Sequence, residues 1–234
     1  MAAFISMPAA RSASAKPGHF GLMDQVYRRQ RHIYDVTRKY FLFGRDMMIR
    51  RLDIKPGESL VEIGCGTARN LIVIARKYPQ ARLFGLDASA QMLETARSAV
   101  TRAGLSHRIR LVHGLAENLS PEHFGEKAFD HALFSYSLSM IPGWNAALAA
   151  ASRALSPQGL VHIVDFGDLA TLWGKKLLLR WLGIFHVSPR GELLAALEAE
   201  SGLILLPGRY AFMLSLTKVK SQGLGCGNGV TAGG

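Results

Sequence analysis

Two acids and two glycines carry the clearest chemistry in this sequence. Glu62 stands just ahead of Gly64-Cys65-Gly66 in the run LVEIGCGTARN, where an apolar segment ends. Glycines at such a point let the chain turn sharply and let a ligand approach the backbone. A carboxylate beside them would repel a pyrophosphate, but it suits a ligand with a cationic amino group. Asp87 closes the run LFGLD, about twenty residues further on, where an acid accepts hydrogen bonds from ribose hydroxyls. Together the four residues predict a ribose-containing ligand at the carboxyl ends of the first two strands, where the strand order reverses. Taken singly, each acid has a plainer reading. Asp87 or Ser89 could cap the following helix, and Glu62 could be an ordinary strand-end acid. The joint spacing around Gly-x-Gly selects the ligand reading.

The elements that must position these residues follow a regular alternation. Apolar runs at 59–63, 81–86, 109–113, 129–135 and 160–165 read as strands. Helical patterns at 68–78, 90–103 and 146–155 separate them, closed by Pro79, Gly104 and Pro157. A further helix is expected at 190–201, closed by Gly202, and two last strands at 203–206 and 209–218 about Pro207-Gly208. Strands alternating with helices make an α/β fold, a single doubly wound and mostly parallel sheet covered on both faces. A closing hairpin adds one antiparallel strand, expected at the edge. Residues 22–51 mix apolar and basic positions and read as one or two amphipathic N-terminal helices. Residues 1–20 read as a flexible lead, 21–219 as one domain and the Gly-rich 220–234 as a disordered tail.

Composition narrows the class. The chain has 234 residues, 49% hydrophobic and 19% charged, enough for one sizeable core and too apolar for a disordered chain. No apolar run is long enough for a membrane-spanning helix. The two cysteines, Cys65 and Cys226, form neither a disulfide framework nor a zinc pattern, so no metal is expected and a reducing cytoplasm fits. Net charge is +11, and residues 11–51 alone hold ten Lys/Arg against three Asp. Such a balance points to an anionic partner or to a basic solvated surface.

The motifs, in their order, resemble class I S-adenosylmethionine-dependent methyltransferases. VEIGCGTA is similar to the first motif of that family, LFGLDAS to the second, LVHGLAENL to the third, FDHALFSYSLSM to the fourth and LSPQGLVHIVDF to the fifth. The resemblance runs from about residue 50 to 170 and implies a seven-stranded Rossmann-like sheet whose last strand is antiparallel. It implies S-adenosylmethionine as cofactor, with Gly64, Cys65 and Gly66 beside its methionine moiety and Glu62 close by. Asp87 and Ala88 would hold the ribose. Met92, Ala116 and Glu117 would flank the adenine, and Ser135 would face the sulfonium. Tyr40 and Arg45, from the N-terminal helices, complete the expected set. Two positions depart from the pattern. Ala68 stands where the Gly-rich loop usually has a third glycine, and Leu115 stands where an acid often meets the adenine amino group.

A narrower resemblance concerns the acceptor. MDQVYRRQRHIYDVTRKYFLFGRD, FSYSLSMIPGW and FHVSPR are similar to bacterial betaine-lipid N-methyltransferases. These methylate the amino group of diacylglyceryl-homoserine to a trimethylated lipid. Quinone methyltransferases share the same core, so a quinone ring or another small molecule is the alternative acceptor. A non-catalytic basic binding module is a further alternative, which the intact Glu62, Gly64, Gly66 and Asp87 argue against. Nucleic acid is disfavoured, because the fourth motif ends in Ser-Tyr-Ser rather than Asn/Asp-Pro-Pro-Tyr/Phe.

Methyl transfer from a sulfonium is an in-line displacement, so orientation supplies much of the rate. An amine acceptor must lose its proton before it attacks, which calls for a base or for burial. Asp165, at the end of the fifth strand, and His186 are the candidate bases. Asp165 could equally cap the next segment, and His186 could be a surface histidine. Tyr136, directly after the fourth strand, offers a π face or a hydroxyl to the acceptor. Tyr27, Tyr34 and Tyr40 could do the same or could pack the N-terminal helices. Arg31, Arg45 and Arg190 could pair with a substrate carboxylate. Finally, LATLWGKKLLLRWLGIFHV sets Trp173, Trp181 and Phe185 among Lys175, Lys176 and Arg180. That mixture suits peripheral contact with an anionic membrane surface, such as the inner membrane face, or a core helix with snorkelling basic residues.

Overall fold

A computed structural model describes residues 44–167 and 202–217, with Leu194, Ala195 and Leu197 between them. In chain order the elements are α1 (Arg45–Arg51), β1 (Ser59–Ile63), α2 (Arg69–Lys77), β2 (Arg82–Asp87), α3 (Ala90–Arg102), β3 (Ile109–His113), β4 (Phe129–Ser135), α4 (Trp144–Ala154), β5 (Leu155–Phe166), β6 (Ile204–Leu205) and β7 (Ala211–Thr217). The strands form one sheet in the order β3-β2-β1-β4-β5-β7-β6. Pairs β1·β2, β1·β4, β2·β3 and β4·β5 are parallel, while β7 runs antiparallel to both β5 and β6. This is the expected doubly wound, seven-stranded α/β sheet, with one correction. The antiparallel strand is not at the edge: β7 inserts between β5 and β6, and two-residue β6 takes the edge.

Every residue of β1 is buried, as a central parallel strand covered on both faces requires. Alternate side chains feed two separate cores. Leu60, Leu133, Val164 and Met213 face α1, α2 and α3, together with Met48, Leu71, Ile74 and Leu93. Val61, Phe134, Ile163 and Leu214 face the layer of α4, together with Phe124, Phe129 and Leu148. Helix α4 approaches closely because its buried positions include Ala147, Ala150, Ala151 and Ala154. On the same side Phe84, Phe124 and Phe129 meet with ring centroids 5.4–5.6 Å apart, tilted or edge to face.

Helix α3 starts at Ser89, whose hydroxyl accepts from the backbone N–H of Met92 at 3.3 Å. Of the two caps the sequence allowed there, Ser89 is the one used. The Asp87 carboxylate is left for the glycine turn. Strand β5 begins earlier than the sequence pattern suggests, at Leu155 rather than residue 160. Leu155 pairs with Phe129 across a register shift between Phe129 and His131, so the Pro157-Gly159 stretch lies within a bulged strand. Among the described residues, no helix is long and apolar enough to cross a membrane. The lead 1–20, the tail 220–234 and the Trp-rich stretch 172–185 lie outside the described residues.

Candidate active site

The carboxyl ends of β1, β2 and β4 open into a cleft of about 630 Å³. Gly64 and Gly66 form its floor, with Asp87, Ala88 and Met92 along one side. Leu115, Ala116 and Glu117 line another side, and Tyr136, Ser137, Met140 and Ile141 close it from β4. The strand order reverses at β1, between β2 and β4, so the cleft sits at the topological switch point.

The glycine turn is fastened from two directions. The backbone N–H groups of Gly64 and Cys65 both donate to the carbonyl of Leu86, at 2.8 and 3.0 Å. The N–H of Gly66 donates to Asp87 Oδ2 at 2.7 Å. Asp87 Oδ1 accepts from the N–H of Ser89 at 2.9 Å. Gly64 has φ +73°, and a Cβ there would lie 2.5 Å from Ser137 Cβ. Ser137 is placed so closely because its hydroxyl donates to the carbonyl of Ile63 at 2.7 Å. Ala68, the residue in place of the third glycine, adopts φ +60° as the N-cap of α2 and is fully buried. An alanine there bears a left-handed strain of about 1–2 kcal/mol.

The opposite wall is equally braced. Tyr136 also adopts a positive φ, +55°, and its N–H donates to the carbonyl of Val164 at 2.8 Å. Its ring meets Phe166 edge to face at 4.7 Å, and Phe166 meets Tyr210 at 5.8 Å. Burial, with Tyr210 and Asp165 nearby, pushes the Tyr136 phenol well above its ordinary value, against a smaller opposing effect of Arg45. The hydroxyl therefore stays protonated and can donate a hydrogen bond. Asp165 differs from the expectation of a base at the mouth. It is fully buried, and its Oδ2 accepts from the N–H of Ser139 at 2.9 Å and its Oδ1 from the N–H of Phe166 at 2.8 Å. Burial raises its carboxyl above the usual range, opposed by those hydrogen bonds. Asp165 thus holds the short 3₁₀ turn Leu138–Met140, whose Met140 lines the cleft.

The remaining sequence candidates divide by place. Gly64, Gly66, Asp87, Ala88, Met92, Ala116, Glu117 and Tyr136 line the cleft together. Cys65 and Arg45, both buried, border a neighbouring groove between α2 and α3 instead. Glu62 is buried beneath the turn, where Asn70 Nδ2 donates to its Oε1 at 2.6 Å. Ser135 is buried at the end of β4 rather than lining the cleft. Tyr27, Arg31, Tyr34, Tyr40, His186 and Arg190 lie outside the described residues. Sequence reasoning did not single out Ser137, Met140 and Ile141. The apolar stretch before Pro142-Gly143 was their only signal.

S-adenosylmethionine fits these residues on the chain's own chemistry. Asp87 accepts a backbone N–H on each oxygen and lines the cleft at the end of β2, where a carboxylate suits ribose hydroxyls. When bound, the cofactor supplies an electrophilic methyl group. Among the described residues, no cluster of three or more His, Cys, Asp or Glu could hold a metal ion.

Comparisons with known proteins point to methyl transfer. Residues 60–159 match the family described as a methyltransferase domain. The chain is similar to demethylmenaquinone methyltransferase of Geobacillus stearothermophilus, 28% identical over 178 residues, covering 76% of this chain and 70% of the relative. The counterpart from Listeria monocytogenes serotype 4a (strain HCC23) is 30% identical over 131 residues, covering 56% of this chain and 54% of its own. Mitomycin 7-O-methyltransferase MmcR shares the fold, with a TM-score of 0.67 at 18% identity over 86% of this chain and 60% of that one. A glycine turn, a strand-end acid and this sheet order meet in one cleft, residues 60–159 match a methyltransferase domain, and the chain is an S-adenosylmethionine-dependent methyltransferase.

Proposed function

We propose that the acceptor is a quinol-type aromatic ring and that the methyl group goes to it. The observation that carries this reading is the wall opposite the cofactor side. There Tyr136, backed edge to face by Phe166 and Tyr210, stands beside Met140 and Ile141. A flat apolar ring packs well against an aromatic face and a thioether. The curated relatives named for demethylmenaquinone support the same class. Among the described residues, the carboxylates lining the cleft are Asp87 and Glu117, both on the expected cofactor side, while Asp165 is turned to the backbone of Ser139 and Phe166. Among the described residues, a cationic amine acceptor would find no carboxylate on the acceptor wall to take its proton before attack. A hydroxylated ring needs less. The ring carbon beside the hydroxyl would attack the transferred methyl, the electron pair of the broken carbon–sulfur bond would leave with the sulfide, and the ring would release its proton to solvent only after the attack. The protonated Tyr136 hydroxyl can hold the ring oxygen by a hydrogen bond and so orient the attacking carbon.

The test is methyl transfer from labelled S-adenosylmethionine to two acceptors offered separately. One is a reduced naphthoquinol with an open ring position, and the other is a lipid extract containing diacylglyceryl-homoserine. Label in the naphthoquinol alone is expected. Label in a trimethylated lipid headgroup, with none in the quinol, would overturn the proposal in favour of betaine-lipid synthesis.

A further inference from the structure

We infer that the outer face of α1, α2 and α3 is a docking surface for an anionic lipid bilayer. This rests on the reading of a lipid-soluble acceptor, and it assigns a different part of the molecule. The two helical layers differ in charge. Residues 45–110, which build the α1–α3 side, hold twelve Lys/Arg against six Asp/Glu. Residues 111–166, which build the α4 side, hold two against five.

Sequence charge alone would not distinguish a docking face from a solvated one; the pairing does. Arg50 and Arg51 of α1, Arg76 of α2, and Arg97 and Arg102 of α3 are all exposed. Their guanidinium groups make no hydrogen bond or ion pair with any described residue. Other basic residues of this side are engaged. Arg69 pairs with Asp46 at 3.1 Å, and Lys77 Nζ donates to the carbonyls of Ile49 and Arg50. Five arginines that no described residue pairs, on three adjacent helices, repel one another, and an anionic surface relieves that repulsion.

The shape favours a bilayer. Between α2 and α3 runs a groove of about 1230 Å³. Arg76 and Arg102 rim it, and half-buried Ile72, Val73 and Ala99 form an apolar floor. Guanidinium above apolar carbon matches phosphate above acyl carbon. Among the described residues, no aromatic side chain lines the groove, whereas single-stranded nucleic acid is gripped by stacking on aromatic rings. The groove starts at Cys65 and Thr67, so it shares the glycine turn with the cofactor cleft. A bilayer on this face lies beside the cleft, within reach of an acceptor leaving the lipid.

Flotation of the full chain with vesicles tests this. The vesicles are phosphatidylcholine alone or phosphatidylcholine with phosphatidylglycerol, at low and high ionic strength. The variants are Arg76→Glu/Arg97→Glu/Arg102→Glu and, on the α4 layer, Arg153→Glu. Each basic residue near an anionic surface is worth about fivefold in partitioning, so the triple variant is expected to lose about a hundredfold or more. Arg153→Glu is expected to float as the parent does. Binding should need phosphatidylglycerol and weaken in salt. Equal binding by the triple variant, or retention by RNA with no vesicle binding, would overturn the inference. Methylation of a short-chain quinol in detergent is read on the same variants. If it is intact while the parent chain does not float, only the docking surface fails. Floating without quinol methylation removes the acceptor reading instead.

Discussion

At the scale of single residues, the cleft works by fixing groups in place. Tyr136 shows this most clearly. Its backbone takes a left-handed φ that tyrosine seldom adopts, and the hydrogen bond to Val164 and the packing on Phe166 hold it there. Burial raises its phenol well above the ordinary value, so the hydroxyl keeps its proton near neutral pH and is available as a donor. Tyr136→Phe is therefore expected to lower kcat about tenfold or more without shifting either limb of the pH–rate profile, which steady-state kinetics across pH can check. A rate that rises with pH toward the alkaline range in the parent, and does not in the variant, would show instead that the phenolate acts as the base. The sequence located Tyr136 correctly after the fourth strand, but not its backbone. A positive φ is legible where glycine signals it, and neither Ala68 nor Tyr136 gives that signal. The burial of Asp165 was also illegible, since a strand-end acid looks the same whether it faces a cleft or a backbone amide.

At the scale of elements, the cleft depends on how closely the β1 and β4 loops approach. Gly64 and Ser137 come from points 73 positions apart in the chain and meet with no room for one further carbon. Gly64→Ala is expected to destabilise the fold by about 2–4 kcal/mol, through overpacking and the strain of a positive φ. Ser137→Gly is expected to lose about 1 kcal/mol with the hydrogen bond to Ile63. The double variant should regain part of the Gly64→Ala loss, because the obstructing Cβ is gone, leaving a coupling of about 1 kcal/mol or more. Denaturant melts of the four proteins measure it, and strict additivity would mean that the loops can part. Such contacts explain what the sequence conceals. The bounds of β1, β3 and β4 are legible from apolar runs flanked by turn residues. The second wall of the cleft is not, because only tertiary pairing brings residues 137–141 to the glycine turn. The place of β7 is similarly hidden: a hairpin pattern does not say which of its strands joins β5.

At the scale of the whole molecule, the end of the sheet away from the cleft carries a polar chain with its own pH dependence. His131 Nε2 lies 3.0 Å from Glu58 Oε2, His131 Nδ1 lies 3.0 Å from His162 Nε2, and His162 Nδ1 lies 2.8 Å from Ser215 Oγ. Burial, and then the neighbouring His131, push His162 down from 6.5 to about 3. The folded chain thus keeps His162 neutral where the unfolded chain protonates it. Its contribution to stability is full above about pH 6.5 and is lost as pH falls toward 3, by at most about 1.4 kcal/mol per pH unit. His162→Gln should flatten this slope between pH 6.5 and about 4.5, above the range where ordinary carboxylates titrate. Urea melts across that window decide it, and an unchanged slope would place the proton elsewhere. The account as a whole stands on one pairing, the cofactor with Asp87 at the glycine turn. Calorimetric titration of S-adenosylhomocysteine into the parent chain and Asp87→Ala tests it most directly. The predicted result is binding by the parent and a loss of about tenfold to a hundredfold in the variant, as hydrogen bonds to a carboxylate disappear. Equal affinity in the two proteins would contradict the assignment of this cleft.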